Sequence, residues 1–525
     1  MTDLSGLRVT TRGHRRALLL AGASVVALIV GGPAASARNI LSGPTAAPVA
    51  TITPQQAQAA QAAQLAARRG RDSLARTTRA LQAMRSAQAA ARDLAIAAPS
   101  PIPNGLGTGG LQPVRNPNST TDGLAAWIGA DSPTQKPGTG PGTIDVNIHQ
   151  TESRAVLSWE TFNVGRETTL TFDQQGNTDW IALNRVVGND AKPSEIRGSI
   201  KADGTVLIIN HNDVLFTGTA QIDVHSLLAS TLEVGRAFDF VATGTAARTI
   251  AQRNAEFLAS GLLGFNDTSV QAGATFSAQR IQVGTGTQND PLPEGSVTVA
   301  AGARITAGKD GLILLTGPQV INAGHLSATD GQVVLQSGRE ILLRRSEGKA
   351  TSIDPNIRGV VAASVRNLGD PDDSVVNTAT GLIEANRGNI TLGGFSTVTN
   401  QGLLSSTTSV SRNGSIVLSA ADIKLAPGGI LSIGADEGPD VIPQDAASIA
   451  AFKPSSIVIG NRNGLGATVY DASARIEIGR DALIRAPGAT VEIGARAGAA
   501  GASDQQGQGN SHVVVDSGAV IDVAG

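Results

Sequence analysis

Cysteine is absent from the 525 residues. No disulfide can brace the fold, and no thiol can ligate a metal or act as a nucleophile. The absence does not fix the compartment, although a chain that crosses a membrane unfolded gains from carrying no crosslinks. Aromatic residues are scarce, at 10 Phe, 3 Trp and 1 Tyr, whereas a compact enzyme of this length usually carries more large anchors. An excess of one charge is missing too. The 41 basic and 43 acidic side chains leave a net charge of −2, which favours neither nucleic acid nor an acidic surface as partner. The histidines His14, His149, His211, His225, His325 and His512 include no pair at metal-ligand spacing, and no G-x-S-x-G elbow occurs. Asp370, Asp372 and Asp373 lack the ligand pattern of a calcium loop and read as a solvated turn. Residues 104–110 are glycine-rich, but no strand precedes them, no helix follows and the P-loop lysine is missing. No catalytic residue, metal or cofactor is expected.

Long hydrophobic runs are lacking with one exception. Residues 17–30 are apolar, too short to span a bilayer comfortably. Arg8, Arg12, Arg15 and Arg16 precede them and the small residues Ala35, Ser36 and Ala37 follow, so residues 1–37 read as a secretory signal. The surroundings of Arg15 and Arg16 match a twin-arginine signal poorly, which favours the general secretion machinery. Residues 38–103 form an Ala/Gln/Arg-rich spacer, with strong helix formers through most of 51–98. Leu74 and Leu81 lie seven apart with Met84 nearby, but sustained heptads are missing. A solvated helix or a floppy spacer is expected, broken by Gly70 and then by Pro99, Pro101 and Pro103.

What is present is glycine, at 62 residues, and alternation. From Thr143 onward Ile144, Val146 and Ile148 alternate with polar residues, and similar pairs recur as Val297 and Val299, Ile390 and Leu392, Val491 and Ile493, and Ile521 and Val523. The triplet Asp310-Gly311-Leu312 is echoed at Asp330-Gly331-Gln332, Gly388-Asn389-Ile390 at Gly414-Ser415-Ile416, and Gly466-Ala467-Thr468-Val469 at Gly488-Ala489-Thr490-Val491. Repeats of this size mean a solenoid. The expected fold is all-β: a right-handed parallel β-helix, one rung per repeat, with rungs about 4.8 Å apart. Asn322, Asn377 and Asn400 read either as a stacked ladder or as separate turn asparagines. Residues 246–258 read as a helix resting outside the coil, 288–293 as a loop, and Asn116-Pro117-Asn118-Ser119 as an unrelated turn. The chain stops at Gly525 within the repeat pattern, which leads to the expectation that it is the front, or a truncation, of a longer protein.

Residues 196–234 organise the rest. Val206, Leu207, Ile208 and Ile209 form a run suited to a strand buried on both faces. Asn210-His211-Asn212-Asp213 interrupts it with turn chemistry, and Val214-Leu215-Phe216 follows at once. This stretch resembles the secretion motif of the two-partner secretion (haemagglutination-activity) domain of filamentous-haemagglutinin-like exoproteins. That family reads close to I-N-P-N-G-V-L-F-G and then V-G-G-L-V-A-S-T-L. Here the asparagines are Asn210 and Asn212, the proline place holds His211, the glycine place holds Asp213, and the second block ends Ala229-Ser230-Thr231-Leu232. Proline pre-sets φ in such a turn and histidine does not, so the same turn is expected with less rigid specification. Trp159, Phe162, Asn163, Asn184, Arg185, Ser230 and Thr231 lie in further blocks in the family's order. The resemblance covers residues 104–345, a capped β-helical secretion domain, with 346–525 as further rungs.

What the resemblance implies is a route. A Gram-negative exoprotein reaches the periplasm, is recognised unfolded by a cognate outer-membrane β-barrel transporter with POTRA domains, and folds at the cell surface. It would serve there as an adhesin or haemagglutinin-like shaft, with a host-cell or carbohydrate receptor. Asn210 and Asn212 lead as recognition residues, or act only as the turn. Two rivals stay open: the carrier stem of a contact-dependent toxin, and a β-helical polysaccharide-active enzyme. The enzyme would need carboxylates and basic residues at rung spacing on one face.

Overall fold

The computed structural model describes residues 7–9, 53–116, 123–188, 192–235, 250–262, 274–277, 295–346, 358–364, 372–409, 412–436, 454–460, 475–494 and 512–524. The alternating pairs become short strands that stack in parallel, rung upon rung, on three faces of a β-helix. The first face begins with Ile144–His149 and Thr168–Asp173 and runs to Leu483–Arg485 and Val520–Asp522. The second begins with Arg154–Phe162 and Ile181–Val186 and runs to Thr490–Gly494. The third is a nine-stranded stack from Ser194–Ile196 through Val214–Phe216 to His512–Val515.

Register shows how period-two alternation fills the interior. On the second face Leu157, Asn184, Ile208, Ala229, Leu315, Leu335, Leu392, Leu418, Ile459 and Ile493 stand in one column. All are buried. A residue of this kind stabilises the fold by about 1.5–3 kcal/mol when fully buried, but only once neighbouring rungs cover it. The repeats fall where they must: Leu312 pairs with Gln332 and Asn389 with Ser415, so each echo is one rung on the next. Asp310 and Asp330 hold φ of 61° and 59°, the left-handed conformation that aspartate tolerates better than most residues. The echo at 466–469 lies outside the described residues. So do Asp370, Pro117 to Ser119, the 288–293 loop and residues 10–52. Leu7–Val9 lies antiparallel along Thr490–Gly494.

Three additions dress the coil. Leu111–Pro113, Trp127–Ile128 and Thr134–Pro137 pair antiparallel with the first rung and cap its open edge. Strands therefore begin before Thr143, because these short pieces carry no clear alternation. A separate antiparallel sheet of Glu233–Gly235, Ala274–Ser277, Glu340–Arg345 and Val360–Ser364 forms from two excursions off the second face. Together with helix Ile250–Ser260, here α2, it covers the outward column Val156, Leu183, Leu207, Leu228, Leu314 and Val334. That cover explains why 206–209 is apolar on both sides.

The third addition is helix α1, Pro54–Ala97. Thr53 and Gln56 form a capping box, Pro54 occupies the first turn, and the helix ends just before Pro99. Gly70 does not break it: the glycine sits inside, at a cost of about 1 kcal/mol. Nor is the helix a free solvated rod or a floppy spacer. It lies along the first face, where Ala80, Leu81 and Met84 pack against Leu382, Leu403, Ile430 and Leu483.

Candidate functional site: the corner at Asn210

The corner joins the second face of one rung to the third face of the next. Asn210 ends the 205–209 strand segment, and Val214–Phe216 enters the third face between Ser194–Ile196 and Ser296–Val299. Val214 and Phe216 point inward and are buried, while Leu215 is half-exposed on the outer side. Asn210 is 1 % exposed. Its amide donates to the Lys192 carbonyl at 3.1 Å and to Ser194 Oγ at 3.0 Å. Its Oδ1 accepts from the backbone N–H of Asn212 at 3.0 Å and from that residue's amide at 3.3 Å. The first contact is an Asx turn, so Asn210 sets the reversal that proline would otherwise pre-set. Asp213 Oδ1 accepts from the Ser296 N–H at 2.7 Å and from its hydroxyl at 2.8 Å, tying the corner to the rung that follows.

His211, in the proline place, turns toward the neighbouring excursion. Its Nδ1 donates to the Thr231 carbonyl at 3.0 Å, and its Nε2 faces Glu233 Oε2 at 3.5 Å. Glu233 is fully buried and receives Arg185 Nη2 at 2.7 Å; Arg185 also bonds Asn254 of α2. Burial alone would push the Glu233 carboxyl up. The Arg185 charge, the His211 bond and charge, and the Arg185 hydrogen bond override it and hold the pKa at about 2. Ser230 Oγ accepts from the Leu232 N–H at 2.9 Å, and Thr231 Oγ1 donates to the Gly295 carbonyl at 3.1 Å, closing the base of the excursion.

The structure gathers the other singled-out residues into the front rungs. Trp159 Nε1 donates to Asn184 Oδ1 at 3.0 Å inside the coil, which satisfies the one polar member of the inward column. Trp127 and Phe162 pack edge-on against Trp159 at 5.1 and 5.2 Å. Asn163 bridges the cap and the coil, donating to Gly109 O at 3.0 Å and accepting from the Glu195 N–H at 2.7 Å. The glycine-rich segment is thus part of the cap. Glu233, Asn254 and Ser194 belong to the corner and were missed. A signal existed for Glu233, the only charged residue from Ser226 to Val234. Among the described residues no group of three or more His, Cys, Asp or Glu could hold a metal, and no helix is long and apolar enough to cross a membrane.

The capped parallel β-helix, taken with the family match that follows, makes this a secreted exoprotein with a two-partner secretion domain. The chain belongs to the TPS secretion domain family, whose model matches residues 129–450, more than half of its length. It is similar to a heme/hemopexin-binding protein of Haemophilus influenzae, 36% identical over 91 residues, which are 17% of this chain and 10% of that protein. A second heme/hemopexin-binding protein, from strain ATCC 51907 / DSM 11121 / KW20 / Rd, is 27% identical over 294 residues, 53% of this chain and 26% of that protein. The chain therefore spans about a quarter or less of the curated relatives it matches. Among solved structures, the HMW1 secretion domain of Haemophilus influenzae aligns with 98% of its length to 75% of this chain, at 18% identity and a TM-score of 0.37. Family membership places the protein outside the outer membrane of a Gram-negative bacterium, at the cell surface or beyond.

Proposed function

We propose that the Asn210 corner is the export address that a cognate outer-membrane transporter reads, through periplasmic POTRA domains, before the chain folds. The general secretion machinery would deliver the chain to the periplasm. The folded shaft then acts at the surface as an adhesin toward a host-cell or carbohydrate receptor. One observation carries this reading: in the folded state the Asn210 side chain is buried with its donors and acceptor engaged. A partner that reads this side chain must meet it while the rung is still open. Propagation of rungs from the capped end makes that order physically natural, since each rung contacts only its neighbours. The relatives' heme/hemopexin binding is not carried over, because the matches cover small parts of those proteins.

Asn212 separates recognition from folding. It is half-buried, and its side chain makes one long bond, to Asn210 Oδ1 at 3.3 Å. Asn212→Ala should refold in vitro like the parent, and Asn210→Ala should lose about 1–3 kcal/mol from stranded partners. Both should accumulate in the periplasm and fail to reach the surface. Undiminished surface delivery of Asn212→Ala and Asn210→Ala would reject the corner as an address.

A further inference from the structure

We propose that the first face carries a groove built for an alanine-rich helix, and that α1 is its intramolecular partner, a clasp that closes only after the last rungs have folded. The contacts run in strict opposite order. Ile96 and Ala98 carbonyls accept from Arg166 at 2.7 and 2.6 Å. Arg92 donates to the Thr219 carbonyl at 3.1 Å. Gln88 accepts from the Gly302 N–H and donates to the Ala323 and Thr380 carbonyls, each at 2.6 Å. Arg85 meets Glu384 at 2.9 Å, and Ser73 bonds Asp522 in the final described rung. As the helix number falls from 98 to 73, the partner's number rises from 166 to 522.

The groove is shaped for close approach. A Cβ on Gly302 would lie 2.7 Å from the Arg92 backbone nitrogen, and one on Gly218 would lie 2.8 Å from Ala95 Cβ. Length fits as well. Ser73 to Ile96 spans about 35 Å of helix, at about 1.5 Å per residue. The stack from Thr168–Asp173 to Val520–Asp522 rises about 43 Å in steps of about 4.8 Å, and the terminal side chains bridge the difference.

Chain order then dictates the sequence of events. α1 precedes every rung it binds, so its inner face has no partner until those rungs exist. Docking ties rungs that are far apart on the stack, a coupling that nearest-neighbour contacts do not supply. The direction of emergence rests on the secretion reading; the groove does not. The test therefore uses the purified full chain, refolded from denaturant with no transporter present. Trp127, Trp159 and Trp180 all lie in the cap and front rungs, so fluorescence follows that end. Trypsin reports α1. Arg85 keeps a side chain that is 57% exposed, so protection there reports the docked helix backbone and not a buried side chain: in the folded chain Arg85 and Arg92 should be cut about tenfold more slowly than Arg68 and Arg69, which precede the first docking contact at Ser73, and this protection should appear after the fluorescence change. Leu81→Asp with Met84→Asp, and separately Gln88→Ala, should remove protection at Arg85 and Arg92 and leave the fluorescence transition in place. Equal cutting at all four arginines, protection that arrives together with the fluorescence change, or protection that depends on protein concentration would overturn the proposal.

Discussion

The front and rear of the solenoid solve the same packing problem differently. The rungs up to Leu232 are braced by particular polar partners: Trp159 on Asn184, Asn210 on Ser194, and the buried Arg185–Glu233 pair beneath α2 and the side sheet. The rungs from Gln319 to Gly494 rely on repetition. Their inward columns are Val, Ile, Leu and Ala, and their main polar device is a ladder in which Asn322 donates to Asn377 Oδ1 at 2.8 Å and Asn377 to Asn400 Oδ1 at 2.7 Å. The ladder alternative raised by the sequence is the one adopted. A front built from unique contacts specifies one starting register; a rear built from a repeat only has to copy it. This is how a chain folding from one end avoids slipped rungs.

The largest test of that contrast removes Glu233. Glu233→Ala leaves Arg185 buried without its carboxylate, which costs about 3–5 kcal/mol. Denaturant unfolding followed by tryptophan fluorescence should shift by that amount. The pair also gives the front an acid limit. Because the Glu233 pKa falls from 4.5 to about 2 on folding, its contribution is fully present above about pH 4.5 and is lost as pH drops toward 2. Glu233→Gln should flatten that part of the pH profile. A front whose stability ignores both changes would not be braced as described.

Asn377→Ala should act next, and elsewhere. It strips Asn322 of an acceptor and Asn400 of a donor in the buried interior, a loss of about 1–3 kcal/mol. With α1 released by Leu81→Asp and Met84→Asp, circular dichroism should show earlier unfolding while the tryptophan transition holds its midpoint. If both signals still move together with α1 released, the coil itself couples distant rungs and the contrast between its two ends fails.

This division also explains what was legible beforehand. Alternation exposed the inward columns because a half-buried strand repeats every second residue. It could not show that Asn322 stacks on Asn377 and Asn377 on Asn400, since the separations are 55 and 23 residues; excursions of unequal length hide the register. The corner was readable through Asn210, Asn212 and the Ser230 block, and Glu233 stood out as a lone charge, yet its pairing with Arg185 was not readable, because the two lie 48 residues apart and the excursion that buries both has no periodic signature. The docking of α1 was missed for a different reason. Gln88 and Arg92 bond backbone carbonyls, which every residue carries, and the packed face mixes Ala80, Leu81 and Met84 with the polar Ser73, Thr77 and Gln88, so no apolar stripe announces it.

The smallest effect should come from the charged corner of the rear rungs. Arg387 grips Asp330 through two bonds, at 2.8 and 3.1 Å, and also pairs with Asp436. Arg412 adds a pair with Asp310 and a longer contact to Asp330 at 3.4 Å. The Arg412 and Asp310 side chains are 36% and 51% exposed, so water and salt screen their attraction. Arg412→Ala should therefore cost no more than about 1 kcal/mol, and added salt should shrink even that. Asp330 keeps Arg387, so no charge is stranded. A loss as large as that of Glu233→Ala would mean that fixed ion pairs brace the rear as firmly as the front, and repetition would no longer suffice to explain how these rungs hold their register.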